Sequence, residues 1–344
     1  MASRHWNALS SQINAVAVFN LHPAELMRYH HFIDEFISGG VGVSAQQKGF
    51  ICAILGPVLW GISGNVAEWL FGPAGLKPDW LVAVRLLASG ILLMGWCLLT
   101  QRKATLVVWK NKRHLRGALI FGLGGVVVSQ FSYFTAVATS NAPTTTVLQY
   151  LAPLFIVIYL AIKERHWPQR IDVISLAVAF VGMLLLVTHG RLTTLALTPQ
   201  GLFWGIAAGL GAALYTLLPV KLLQEVPAQI VIAWAMLFAG LILSPILFLT
   251  PAPVITGQVV LGIGYVTLFG TLFAYLLYLA SLKTVRPTVV GMLNVFEPLT
   301  ATVVAILVFN AHFGVAEIIG GLLVLSTSFI QLLPTHKKNP ATSR

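Results

Sequence analysis

The sequence predicts an all-α integral membrane protein with ten transmembrane helices in two inverted five-helix repeats. Three observations predict it. Of the 344 residues, 57% are hydrophobic and 9% charged, with mean hydropathy +0.86. A soluble domain carries about 25% charged residues. The chain also repeats itself. Val147-Leu148-Gln149-Tyr150-Leu151-Ala152-Pro153-Leu154 aligns with Met292-Leu293-Asn294-Val295-Phe296-Glu297-Pro298-Leu299 at an offset of 145, which also pairs Gly125 with Gly270, Tyr133 with Tyr278 and Asp172 with Glu317. Finally, Lys and Arg gather in alternate loops.

Residues 1–47 hold no span of membrane length and no signal-peptide order of basic, apolar and cleavable segments. Leu26, Tyr29, Ile33, Phe36 and Ile37 recur at helical spacing, as in a short interfacial helix on the cytoplasmic side. His22, His30, His31 and Asp34 match no standard metal spacing, and Met27 is an alternative start.

From Gly49 the apolar runs fall at 49–71, 80–100, 117–138, 143–162, 171–188, 200–220, 228–249, 258–282, 288–309 and 314–333. The first repeat then occupies 48–192 and the second 193–333, with a cytoplasmic tail at 334–344. Five spans per copy make the second copy enter from the opposite side. With the N-terminus inside, cytoplasmic segments hold 18 Lys and Arg and the other side holds only Lys77 and Arg191. The positive-inside rule therefore places both termini in the cytoplasm. The densest basic loop, Arg102, Lys103, Lys110, Lys112, Arg113 and Arg116, reads as an anchor near anionic headgroups.

The 21 Lys and Arg outnumber the 10 Asp and Glu, yet this loop placement excludes a nucleic-acid-binding face. Cys52 and Cys97 lie inside apolar runs and form no disulfide framework. No His-Glu-x-x-His, P-loop or Cys/His metal spacing occurs, so neither enzyme nor cofactor is indicated, and ATP-driven transport by this chain alone is disfavoured.

Ionisable residues inside membrane spans are costly and point to function. In the first run, Gly61, Asn65 and Glu68 share a helix face, with Gly64 adjoining. Arg85 in the second run is the expected partner of Glu68, or a snorkelling interfacial residue. Glu297-Pro298 interrupts the ninth run where Ala152-Pro153 interrupts the fourth. Proline removes a backbone donor, so Pro153 and Pro298 predict kinks, with Gln149, Asn294 and Glu297 beside freed carbonyls. Interrupted spans at matching places are the best sequence pointer to a transport site. Trp60, Tyr133 and Tyr278 are candidate aromatic lining. Asp172 and Glu317 read as carboxylates at helix N-termini. Gly201, Gly205 and Gly209, with Gly211 nearby, permit close helix packing within the fold or in a homodimer.

Pro57-Val58-Leu59-Trp60-Gly61, Arg85, Glu164-Arg165, Gly270-Thr271 and Glu297-Pro298 together resemble the EamA branch of the drug/metabolite transporter superfamily, over about residues 49–333. The resemblance implies ten helices in two inverted halves, a central cavity, and outward movement of amino acids, small metabolites or drugs across the plasma membrane. It departs where Phe309 stands opposite Glu164, and residues 1–47 lie outside it. The expected function is therefore a carrier of a small-molecule substrate by alternating access, with Glu68 or Glu297 open to proton coupling. The alternatives are a membrane-embedded enzyme acting on lipid or isoprenoid substrates and a non-transporting sensor.

Overall fold

The computed structural model describes residues 45–164, 170–188, 197–250, 253–281, 284, 285, 290 and 293–330, and among these every regular element is helical. The N-terminal segment with its histidines, Arg165, the 189–196 stretch and the tail lie outside the described residues.

Helix α1 spans Ala45–Phe71 and α2 spans Pro78–Thr100. Pro78 opens α2 as its first residue, where a missing N–H costs nothing. A short helix α3, Arg102–Lys110, leads through Asn111 into α4, Lys112–Thr139. The Asn111 side chain accepts from Arg113 N and caps α4. Helix α4 loosens into a π-helical stretch at Phe121–Val127.

Next come α5 (Ala142–Gln149), α6 (Ala152–Glu164), α7 (Arg170–Thr188), α8 (Pro199–Leu217) and α9 (Ala228–Leu243). Helix α10 comprises Gly257–Thr267, a second π-helical stretch Leu268–Phe273, and Ala274–Ser281. Helices α11 (Phe296–Phe309) and α12 (Val315–Ile330) complete the described chain. Among the described residues, seven helical spans are long and apolar enough to cross a membrane, those from Gln46, Pro78, Lys112, Ala142, Pro199, Ala228 and Gly257, the Ala142 span being interrupted by a turn.

The fourth and ninth apolar runs break rather than kink. Helix α5 stops at Gln149, Tyr150 and Leu151 form a turn, and α6 restarts at Ala152. Asn294 and Val295 likewise turn before α11 starts at Phe296. Pro153 and Pro298 thus stand in the first turn of new helices, where proline is tolerated because that turn's N–H groups have no intrahelical partner. The sequence expectation at these prolines is a kink, and the described residues show a short turn just ahead of each.

Helix α2 packs along α9, α4 along α8, α7 along α12, and α1 along both α10 and α11. Glycine sets the closest crossings. A Cβ on Gly90 of α2 would lie 2.7 Å from Leu237 N and 2.8 Å from its Cα in α9. The α8 glycines pack inside the molecule: Gly201 faces Thr139, Gly205 and Gly209 face Leu148, and Gly211 faces Ser129. The main core fills the space around α2, α4 and α9 with Leu81, Leu86, Phe121, Phe134, Ile230 and Met236.

Candidate functional site

Helices α1, α10 and α11 meet where backbones touch. A Cβ on Gly61 would lie 2.5 Å from Glu297 O, so only glycine lets α1 and α11 approach there. Four residues on, Asn65 Nδ2 donates to Gly61 O and to Ala301 O, each at 3.0 Å, which ties the two helices together. Asn65 Oδ1 is buried without a partner. Gly270 of α10 sits against Ser63 of α1.

The second π-helical stretch, in α10, borders this junction. There, Thr271 Oγ1 donates to Val266 O at 2.8 Å, using a carbonyl five residues back. The same oxygen accepts from Arg85 Nε at 3.0 Å and Nη2 at 2.7 Å, while Nη2 also reaches Gly270 O at 3.5 Å. The Arg85 guanidinium lies 4.4 Å from the Phe134 ring centroid, a cation–π contact. Arg85 is 3% exposed, so it is an interior residue and not a snorkelling one.

The expected Glu68–Arg85 pair does not form. Glu68 Oε2 accepts from Ala142 N at 2.7 Å, at the first residue of α5. That helix end gathers unpaired N–H groups and a partial positive charge, so a nearby carboxylate is stabilised without an arginine. Asn141 Oδ1 caps the same end by accepting from Thr144 N.

Glu297 is different. It is half-buried at the second residue of α11, directly after the Asn294–Val295 turn, and its carboxylate has no hydrogen bond or ion pair among the described residues. Its charge is felt at the hydroxyls of Tyr133, Tyr150 and Tyr275. Tyr133 and Tyr275 also feel Arg85. Two opposite charges therefore act on one set of tyrosines without touching each other.

Aromatic rings complete the set. Trp60 meets Tyr275 edge-on at 5.2 Å and Tyr278 at 5.6 Å. The rings of Tyr215 and Tyr275 lie 6.2 Å apart, and the Tyr278 hydroxyl neighbours the Asn294 side chain. Tyr133 Oη lies 3.1 Å from Thr146 Oγ1. Among the described residues, the hydroxyl of Tyr150 and Oδ1 of Asn294 are buried without partners. Gln149 is half-buried at the end of α5. Buried polar atoms usually find partners, so these side chains bring hydrogen-bonding capacity to the surroundings of Glu297. Among the described residues, no three His, Cys, Asp or Glu side chains group as metal ligands.

Of the sequence candidates, Trp60, Asn65, Tyr133, Tyr278, Asn294 and Glu297 come together, Arg85 adjoins them through Tyr133 and Tyr275, and Glu68 serves α5. Thr271 and Phe134, which hold Arg85, and Tyr150 and Tyr275, which adjoin Glu297, were not among them. Tyr150 was the most legible omission, since it stands inside the repeated segment.

The helices and this half-buried polar cluster define a membrane transporter, and the sequence comparisons agree. The chain belongs to the EamA-like transporter family, which matches at residues 47–188 and again at 199–333. It is 30% identical to the uncharacterized inner membrane transporter YicL of Salmonella typhimurium over 297 residues, 86% of this chain and 99% of that one. It is 23% identical to protein PecM of Dickeya dadantii over 282 residues, 81% and 90% of the two chains. A solved crystal structure of 18% identity, with TM-score 0.55, covers 85% of this chain and 97% of its own and shares the fold.

Proposed function

We propose that the protein is a secondary carrier that exports a small metabolite, amino acid or drug-like solute across the plasma membrane by alternating access. The reading takes the chain as ten spans in two inverted halves, 48–192 and 193–333, with both termini cytoplasmic. Packing supports the repeat. At the offset of 145, α4 against α8 corresponds to α10 against α1, while α2–α9 and α7–α12 each pair a helix with its own counterpart. Both π-helical stretches and both pre-proline breaks also fall at matching places. The outward direction rests on the family.

One observation carries the site: the unpartnered Glu297 carboxylate beside a helix break, among half-buried tyrosines and Trp60. A charge inside a membrane span persists only where protein or water compensates it. With no compensating side chain among the described residues, Glu297 has the role of a proton or substrate-amine site, and the rings supply a face for an amphipathic solute. Tyr133, Tyr278, Asn294 and Gln149 would add hydrogen bonds. Glu68 and Asn65 shape the walls, and Arg85 contributes the opposite field.

The test is flux into proteoliposomes under an imposed pH gradient. Glu297→Gln should abolish the pH-driven component and leave the protein folded. Unchanged pH-driven flux would remove Glu297 from coupling, and unchanged affinity for every solute carried would remove it from binding.

A further inference from the structure

Helix α3 has two unlike faces. Its inner face is docked: Gln101, Thr105 and Val108 are buried, Thr105 Oγ1 donates to Cys97 O at 3.1 Å, and Trp234 Nε1 of α9 donates to Thr105 O at 3.0 Å. Trp109 stacks on Trp234 at 5.8 Å. The helix is therefore held firmly to the ends of α2 and α9.

Its outer face is unpartnered among the described residues and carries a regular pattern. Lys103, Leu106, Val107 and Lys110 follow i, i+3, i+4, i+7 spacing, which places them on one stripe. All four are exposed, with Trp109 59% exposed beside them. Two ammonium groups thus bracket an apolar middle, over a rise of about 10 Å. Residues 101–116 contain six Lys and Arg and no Asp or Glu. The exposed apolar surface is also continuous with the end of α2, where Leu99 is 84% exposed, and with Ile120 of α4 at 47%.

We infer that this stripe is a binding surface for anionic phospholipid, with Lys103 and Lys110 on headgroup phosphates and Leu106, Val107 and Trp109 among the upper acyl carbons. The inference needs only that the chain is embedded in a bilayer, and it stands whether or not Glu297 is the solute site. A soluble phosphate would use the lysines but gain nothing from the three exposed apolar side chains. An amphipathic helix with basic and aromatic residues gains from both at the headgroup boundary. Lysine stems can lie on apolar surface while their heads reach phosphate.

The test is native mass spectrometry of the full chain in neutral detergent, titrated with phosphatidylglycerol, with phosphatidylcholine of the same chains, with glycerophosphate and with inorganic phosphate. Phosphatidylglycerol should be retained over phosphatidylcholine, and its binding should weaken as salt rises. The double variant Lys103→Gln/Lys110→Gln should lower its affinity about 30-fold, at about five-fold per surface lysine. Leu106→Gln/Val107→Gln should also weaken it. The water-soluble phosphates should not compete. Equal retention of the two lipids, salt-insensitive binding, or double variants that bind as the native chain does would overturn the proposal. Effective competition by glycerophosphate or inorganic phosphate would overturn it in favour of a soluble-anion site. The salt titration uses the native chain, so it decides even if a variant fails to fold.

Discussion

Arg85 is held inside the helix bundle by the Thr271 hydroxyl, the Gly270 carbonyl and the Phe134 ring. Hydrogen bonds to charged groups contribute about 1.5–3 kcal/mol, so Thr271→Val should destabilise the protein by that order, read as a lower midpoint in denaturant titration of the detergent-solubilised chain. Arg85→Lys should not restore stability, because an ammonium cannot present the Nε and Nη2 edge that meets Thr271 Oγ1. A stable lysine variant would show that charge alone suffices. Outside the spans, Glu225 Oε2 lies 2.7 Å from His114 Nε2, and Glu225 Oε1 lies 3.5 Å from Arg113 Nη1. The hydrogen bond from His114, then the charge of Arg113, hold the Glu225 carboxyl below its ordinary value. A depressed carboxylate stabilises the fold above its unfolded-state pKa, and that contribution disappears as pH falls through the folded value. Thermal unfolding between pH 6 and pH 2 should therefore show a smaller acid loss for Glu225→Gln than for the native chain. Sequence made the charged positions legible because charge is rare in these spans. It did not reveal their partners. Opposite sign suggested Glu68 with Arg85, whereas the free amide at Ala142 and the Thr271 hydroxyl lie closer in three dimensions.

At the level of elements, composition alone located most helices, since long apolar runs leave few other structures in a bilayer. Interruptions were harder to read. Proline marked the right places in the fourth and ninth runs, but the chain turns just before each proline and begins a fresh helix. The π-helical stretches at Phe121–Val127 and Leu268–Phe273 have no residue-type marker of their own. In the second, Thr271 makes a local bond to Val266 and a tertiary one to Arg85. Glycine crossings were legible as small-residue spacing in α8, though not their partners. At the α2–α9 crossing, Gly90→Ala places a methyl against the Leu237 backbone, which cannot rotate away. Overpacking costs about 1–3 kcal/mol, so the variant should melt below the native chain. Gly95, where a Cβ meets nothing within 4 Å, is the control and should tolerate alanine.

For the whole molecule, the repeat and the alternating basic loops anticipated a transporter built twice, and the family matches fall on two consecutive stretches. The two halves are not chemically equal. At the offset of 145, Glu297 stands opposite Ala152, and Asn294 opposite Gln149. A shared framework of breaks and close helix crossings thus surrounds a carboxylate that is unpaired among the described residues. The solute itself is not legible in residues, because aromatic rings and one carboxylate suit amines, amino acids and many drugs alike. A toxicity panel comparing cells that overexpress the protein with cells that lack it should name the class, with overexpression protecting against the exported compound. The decisive measurement then uses that compound. Purified protein, reconstituted without nucleotide or partner, should carry it down its own gradient with saturation, and Glu297→Gln should lose saturable carriage or its response to an imposed pH gradient. No carriage by folded native protein under any gradient, or native behaviour from the Glu297→Gln variant, would contradict a carrier whose working site is the Glu297 cluster.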